Sequence, residues 1–136
     1  MDLPEALDFV RANHRAVLAT GRADGRPQLS PVVAAVDDDD HVVVSTRETA
    51  MKTHNVRREP SVSLCVLSDA FFGAWAQLDG TATVVSLPAA MEPLVDYYRR
   101  IAGEHPDWDA YRAAMQREQR VLLRIAVTHA GPTRSG

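Results

Sequence analysis

The period of hydrophobic and polar positions changes several times along this 136-residue chain, and each change marks an element. Residues 2–12 carry Leu3, Leu7 and Val10 on one side of a helix, with Asp2 and Glu5 in a capping-box pattern and Pro4 in the first turn. Residues 15–22 read as a strand, Asp24-Gly25 is a strong hairpin signal, and residues 27–36 form the return strand. Pro31 has no N–H to donate to a ladder, so it predicts an edge or bulge where a ligand can reach the backbone. After the acidic turn Asp37 to Asp40, a third strand runs from His41 to Thr46. Residues 61–68 alternate, with Val62, Leu64 and Val66 on one face and Ser61, Ser63 and Cys65 on the other. Residues 74–86 alternate as well, Leu78, Ala82 and Val84 against Gln77, Asp79, Thr81 and Thr83, with Gly80 predicting a kink or bulge.

Helical spacing returns near the end. Ser86 is placed to cap a helix carrying Met91, Leu94, Val95, Tyr98 and Ile101, which Gly103 ends. Asp107 is placed to cap another with Trp108, Tyr111 and Met115 along one side, a stripe that suits a core or an interface. Residues 120–128 form a last strand, and the tail from Gly131 is expected to be loose. Six short strands interrupted by helices predict a small antiparallel barrel in a single domain spanning residues 1–136.

The segment between the third and fourth strands differs from the rest. Residues 45–60 read as a helix that starts at a Ser45–Glu48 capping box, continues through an i,i+4 pair of Glu48 with Lys52, and stops at Pro60. Four of the 15 basic residues lie here, Arg47, Lys52, Arg57 and Arg58, and Lys52 is the only lysine of the chain. A helix start with nearby cations can hold a phosphate or carboxylate. On such a helix Arg47, His54 and Arg58 share one face while Lys52 points elsewhere, so one oxyanion cannot meet them all. The same charges also suit a solvated basic face.

Composition narrows the function classes. A net charge of −3 argues against a broad nucleic-acid surface, so the local basic cluster fits a small anionic ligand better. No apolar run reaches membrane-spanning length, the N-terminus opens with Asp2 and Glu5, and the single cysteine, Cys65, sits in an apolar run. A cytoplasmic protein without a structural disulfide is the expectation. Asp37 to Asp40 read as a hairpin tip rather than a metal site, and the five histidines show no metal-ligand spacing. No HExxH, CxxC, Walker A, GxGxxG or Gly-x-Ser-x-Gly occurs. With no nucleophile or acid–base pair in view, no catalytic residue is assigned, and any chemistry would be a cofactor's.

Several blocks, in order and at matching spacing, resemble one family. They are Ala16-Val17-Leu18-Ala19-Thr20, Asp24 to Ser30, Lys52-Thr53 with Asn55 to Pro60, Asp79-Gly80-Thr81-Ala82, and the long block Tyr98 to Arg112. Together they are similar to the F420-dependent branch of the pyridoxamine-5′-phosphate-oxidase-like proteins, found chiefly in actinobacteria. The resemblance implies a mainly β fold with α: a six-stranded antiparallel split β-barrel, of the FMN-binding split-barrel type, with flanking helices. It implies a homodimer with cofactor sites at the interface and hydride transfer between reduced F420 and a small organic acceptor such as a quinone, enone or tetrapyrrole-like molecule. Lys52, Ser45 and Thr46 would hold the phosphate end, with Arg47, Met51 and Asn55 beside them. Gln28, Ser30 and Pro31 would border the deazaflavin ring, Trp75 would come from the other subunit, and His129 would lie near the ring or the dimer contact. FMN chemistry on the same barrel and non-catalytic F420 storage are the alternatives. Two positions depart from the family pattern: Ala50, where an arginine is frequent and Arg47 is a substitute, and Gly73, where an aromatic is frequent and glycine suggests a wider pocket.

Overall fold

The computed structural model describes residues 1–131 and the strand Arg134–Ser135. Alternating strand sequences close into a barrel because every second side chain finds the same interior. The strands are β1 (Arg15–Gly21), β2 (Pro27–Val36), β3 (Val42–Arg47), β4 (Ser61–Leu67), β5 (Ala74–Val85) and β6 (Arg120–Ala130). They run antiparallel in the order β4-β1-β2-β3-β6-β5, and a β4–β5 pairing closes the ring. The interior is filled by residues such as Leu18, Val44, Leu64, Leu78 and Leu123. The inward faces of β4 and β5 match the alternation of their sequences, with Val62, Leu64 and Val66 opposite Ala76 and Leu78.

Among the described residues four helices flank the barrel: α1 (Leu3–Ala12), α2 (Met51–Arg58), α3 (Met91–Ala102) and α4 (Trp108–Arg117). Asp2 caps α1 by accepting the Glu5 N–H at 2.9 Å, and Asp107 caps α4 by accepting the Ala110 N–H at 3.1 Å. Gly103 ends α3 at φ 80°, a left-handed value that glycine adopts without strain. Helices α3 and α4 form a second core on the barrel's outer surface, where Leu94, Val95, Tyr111 and Met115 cover Ala35, Val43 and Leu122.

Two irregularities bear out the expectations from proline and glycine. β2 pairs with β1 from Pro27 to Val33 but with β3 only from Ala34 to Val36, so Pro31 has a strand partner on one side alone. The β5–β6 register shifts between Asp79 and Gly80, and a methyl at Gly80 would run into the Ala126 carbonyl oxygen.

Other expectations are corrected. The basic helix starts at Met51, not after Ser45, because β3 continues to Arg47 in register with β6. Its N-cap is Ala50, with no side-chain cap, so the Ser45–Glu48 capping box does not form. Glu48 pairs with Arg57 and accepts from Ser86 Oγ at 3.0 Å rather than pairing with Lys52. Ser86 does not cap α3, whose N-cap is Ala90; its carbonyl accepts the Ala90 N–H at 2.9 Å instead. On α1, Ala6 joins Leu7 and Val10 in the core and Leu3 stays exposed. The tail is not wholly loose, since β7 (Arg134–Ser135) pairs with Ala74 and Trp75; residues 132, 133 and 136 lie outside the described residues. The acidic turn is met by arginines, with Arg11 on Asp40 at 2.8 Å and Arg100 on Asp38 at 2.6 Å. Asp37 Oδ1 accepts the N–H groups of Asp39 and His41.

Helix α2 is seated on the barrel by a buried amide. Asn55 Nδ2 donates to Thr20 Oγ1 and to Gln28 Oε1, each at 3.1 Å, and Oδ1 accepts from Arg58 at 3.0 Å. Thr53 Oγ1 ties the start of the helix to the Arg47 carbonyl at 2.6 Å. Replacing Asn55 with alanine strips the buried Thr20 hydroxyl and the half-buried Gln28 amide oxygen of their donor. The Asn55→Ala protein is expected to lose about 1–3 kcal/mol in urea unfolding, the range for stranded buried polar groups. A loss below about 0.5 kcal/mol, no more than an ordinary surface substitution, would show that this amide does not anchor the helix.

Candidate functional site

The divergence of β2 from β3 beyond Ala34, together with the helices on either side, leaves a groove of about 720 Å³. One wall is Pro31, Val32 and Val33 of β2; the end of β3 contributes Ser45 and Thr46, and α2 contributes Lys52. Tyr97, Tyr98, Tyr111 and Met115 line the side formed by α3 and α4, and Arg15 and Arg120 complete the rim. The lining is apolar and aromatic with a few cations, the composition of a small-molecule pocket.

The cations of this region divide sharply. Arg57 is held by Glu48 and also donates to Ser86 at 3.2 Å; Arg58 donates to the Gly21 carbonyl and to Asn55. Arg47, exposed at the end of β3, lies 3.5 Å from Glu118, which also receives Arg120 at 2.9 Å. Arg15 is bound to Asp69 at 2.7 Å. These partners hold Glu48 and Glu118 below the usual carboxylate range, chiefly through hydrogen bonds from Arg57 and Arg120. Lys52 has no hydrogen-bond or ion-pair partner among the described residues, and it faces the groove. At the start of α2, the first backbone N–H groups likewise lack a side-chain cap.

Two of the three tyrosines act as struts. Tyr97 donates to the Val33 carbonyl at 2.7 Å and Tyr111 to the Leu94 carbonyl at 2.8 Å. Burial raises both phenols, that of Tyr111 to about 12, so both remain neutral donors at ordinary pH.

The residues singled out by sequence do not all meet. Ser45, Thr46, Lys52 and Pro31 share the groove. Gln28, Met51 and Asn55 line a second hollow of about 630 Å³ with Leu29 and Arg58. Ser30, cross-strand from Leu18, has a buried hydroxyl oxygen with no partner among the described residues. Trp75 is half-buried on β5 and His129 exposed on β6 opposite Asp79; neither lines either hollow within one chain. Asp79 sits below the usual carboxylate range because Ser63 and Gln77 donate to it, with a smaller contribution from His129. Gly73 closes a tight turn, its N–H on the Ala70 carbonyl at 2.9 Å, and a side chain there would crowd Ser68 Oγ. Sequence reasoning assigned no ligand role to Tyr97, Tyr98, Arg15 or Arg120. The adjacent Tyr97-Tyr98 pair, which puts phenols on two sides of one helix, was the available signal.

The fold recurs among solved structures. A conserved hypothetical protein of Mycobacterium tuberculosis, Rv2991, is 27% identical at a TM-score of 0.78, over 99% of this chain and 85% of that one. An F420 reductase matches at 21% identity and a TM-score of 0.70, over 91% and 94% of the two chains. A putative pyridoxamine 5′-phosphate oxidase from Listeria innocua matches at 16% and 0.68, over 95% of each. The last two likenesses speak to the fold alone. The sequence profile of pyridoxamine 5′-phosphate oxidase matches residues 3–133, nearly the whole barrel with its helices, and the chain belongs to that family.

Proposed function

We propose that this protein is an oxidoreductase that binds F420 in the groove beside Lys52 and uses it to reduce a small organic acceptor. Membership of the family supports a flavin-type redox cofactor on this barrel, and the likeness to an F420 reductase supports the choice of deazaflavin. The observation that carries the reading is the unpartnered lysine. Of the four cations in residues 45–60, the three arginines are engaged with neighbouring groups and Lys52 alone is free among the described residues.

The residues present fit an anionic ring cofactor. An ammonium and an uncapped helix start suit a phosphodiester, and Ser45 and Thr46 line the same groove. Pro31, Val32 and Val33 offer an apolar edge for a planar ring. The buried Ser30 hydroxyl, on the same strand, is a polar group left to be matched. Bound deazaflavin supplies two-electron hydride chemistry; the chain binds it, orients the acceptor and limits water.

The reading includes a homodimer with shared sites. Leu29, Val33, Met51, Phe71 and Phe72 are exposed, Phe71 and Phe72 by more than 70%. Such apolar surface calls for a cover, and a twofold partner is the commonest one. Trp75, absent from its own chain's groove, is then available to the partner's.

Lys52→Ala should weaken F420 binding by about 1.5–3 kcal/mol, as for loss of a charge-assisted hydrogen bond, while the melting temperature stays unchanged. An unaltered dissociation constant in the folded variant would return Lys52 to the solvated surface. Shared sites are tested by mixing Lys52→Ala subunits with Trp75→Ala subunits. Each mixed dimer would carry one doubly damaged and one intact site, so activity should partly return; demonstrated exchange without recovery would refute sharing.

A further inference from the structure

β2 and β3 part at a defined step. Their last pair is Ala34 with Val44, although β3 runs on to Arg47 against β6. One more step of the ladder would set Val33 opposite Ser45. The backbone of Val33 faces that way. Ala34 donates its N–H to the His14 carbonyl at 2.7 Å, and its own carbonyl accepts from His14 Nδ1 at 2.8 Å, so its polar groups point to the β1 side. Alternation along a strand turns those of Val33 to the opposite side, toward β3.

The Val33 carbonyl is nevertheless taken by a side chain: the Tyr97 hydroxyl donates to it at 2.7 Å. Burial raises this phenol, and a backbone hydrogen bond from Ser45 to the same oxygen opposes the rise. One oxygen from α3 thus stands between the two strands where a ladder bond would be. A direct N–H···O bond holds its atoms about 2.9 Å apart, and two bonds in series through one oxygen hold them up to about twice as far apart. The ring that carries this oxygen is braced from behind, because it packs on the second core beneath α3 and α4. Pro31, on the same side of β2 as Val33, has no N–H, so the ladder finds no donor there with which to resume.

We propose that Tyr97 is a positioning residue: its hydroxyl replaces the Val33–Ser45 ladder bond and fixes the spacing of two strands that line the groove. Val33 and Ser45 both line it, so the slot is open before a ligand arrives and entry breaks no strand pairing. The spacing is a property of the chain alone; that the slot admits F420 rests on the reading proposed above. Tyr97→Phe keeps the ring in the second core and removes only the oxygen. The Val33 carbonyl and the Ser45 N–H then lose their shared partner, and bonding each other satisfies both and narrows the slot.

The test is NMR of wild type and Tyr97→Phe, read for scalar coupling across a hydrogen bond from the Ser45 N–H to the Val33 carbonyl. F420 and FMN affinities of both proteins are measured by calorimetry. Wild type should show no such coupling, and Tyr97→Phe should show it, a gain that mere loosening of the structure would not produce. Both cofactors carry a three-ring system, so the variant should bind each about three- to tenfold more weakly, the net worth of the bond that entry must now break. A direct Ser45–Val33 coupling in wild type overturns the assignment without any variant. Absence of the coupling in Tyr97→Phe overturns it too, as does unchanged affinity for both cofactors, or a loss confined to one where wild type binds both. If wild type binds FMN but not F420, while the coupling and the FMN loss hold, the cofactor reading falls and the Tyr97 assignment stands.

Discussion

The position of helix α2 depends on one buried amide. Asn55 is 1% exposed, and three hydrogen bonds bind its side chain to Thr20, Gln28 and Arg58. Thr20 belongs to β1 and Gln28 to β2, so the helix is fixed to two strands at once. An eight-residue helix has little stability of its own, and its long-range bonds supply what its length does not. With Asn55 in place, Lys52 lies three residues earlier, nearly one turn away, and lines the groove beside Ser45 and Thr46.

The arginines then take structural parts. Arg57 reaches back to Glu48 and Ser86, tying the helix end to the β3–α2 connection and to the chain beyond β5. Arg58 closes onto Gly21 at the end of β1. These exposed pairs add little stability individually, but they remove competing cations from the region. What is left is a single ammonium at an apolar, aromatic groove, a simpler site than a basic cluster. Cation count overstated the charge available to a ligand, because Arg57 is taken by Glu48 of its own segment while Arg58 and Arg47 find partners far away in sequence, Gly21 and Glu118.

Much of the barrel was legible from local rules. Period-2 alternation located β4 and β5, Gly80 marked the bulge, Pro31 marked the one-sided stretch of β2, and Asp2, Gly103 and Asp107 marked helix ends. Failures came where tertiary pairing outweighed a local motif. Ser45 and Glu48 have capping-box spacing, but β6 pairs with β3 as far as Arg47 and keeps Ser45 in the strand. Ser86 has cap chemistry, yet its hydroxyl is drawn to Glu48. The candidate site was legible only in part. Lys52, Ser45, Thr46 and Pro31 converge, whereas Gln28, Met51 and Asn55 turn to another hollow. Tyr97, Tyr98 and Tyr111 gather at the groove because α3 and α4 cover the outside of β2, β3 and β6, an arrangement no local pattern contains.

On the reading proposed for this groove, its unpaired cation and apolar wall favour F420, whose phosphodiester and glutamate tail make it more anionic than FMN. Calorimetric titration of one protein preparation with each cofactor, under identical buffer and salt, separates the two. F420 should bind more tightly, with an advantage that shrinks as salt is raised. Equal or tighter binding of FMN would refute the preference.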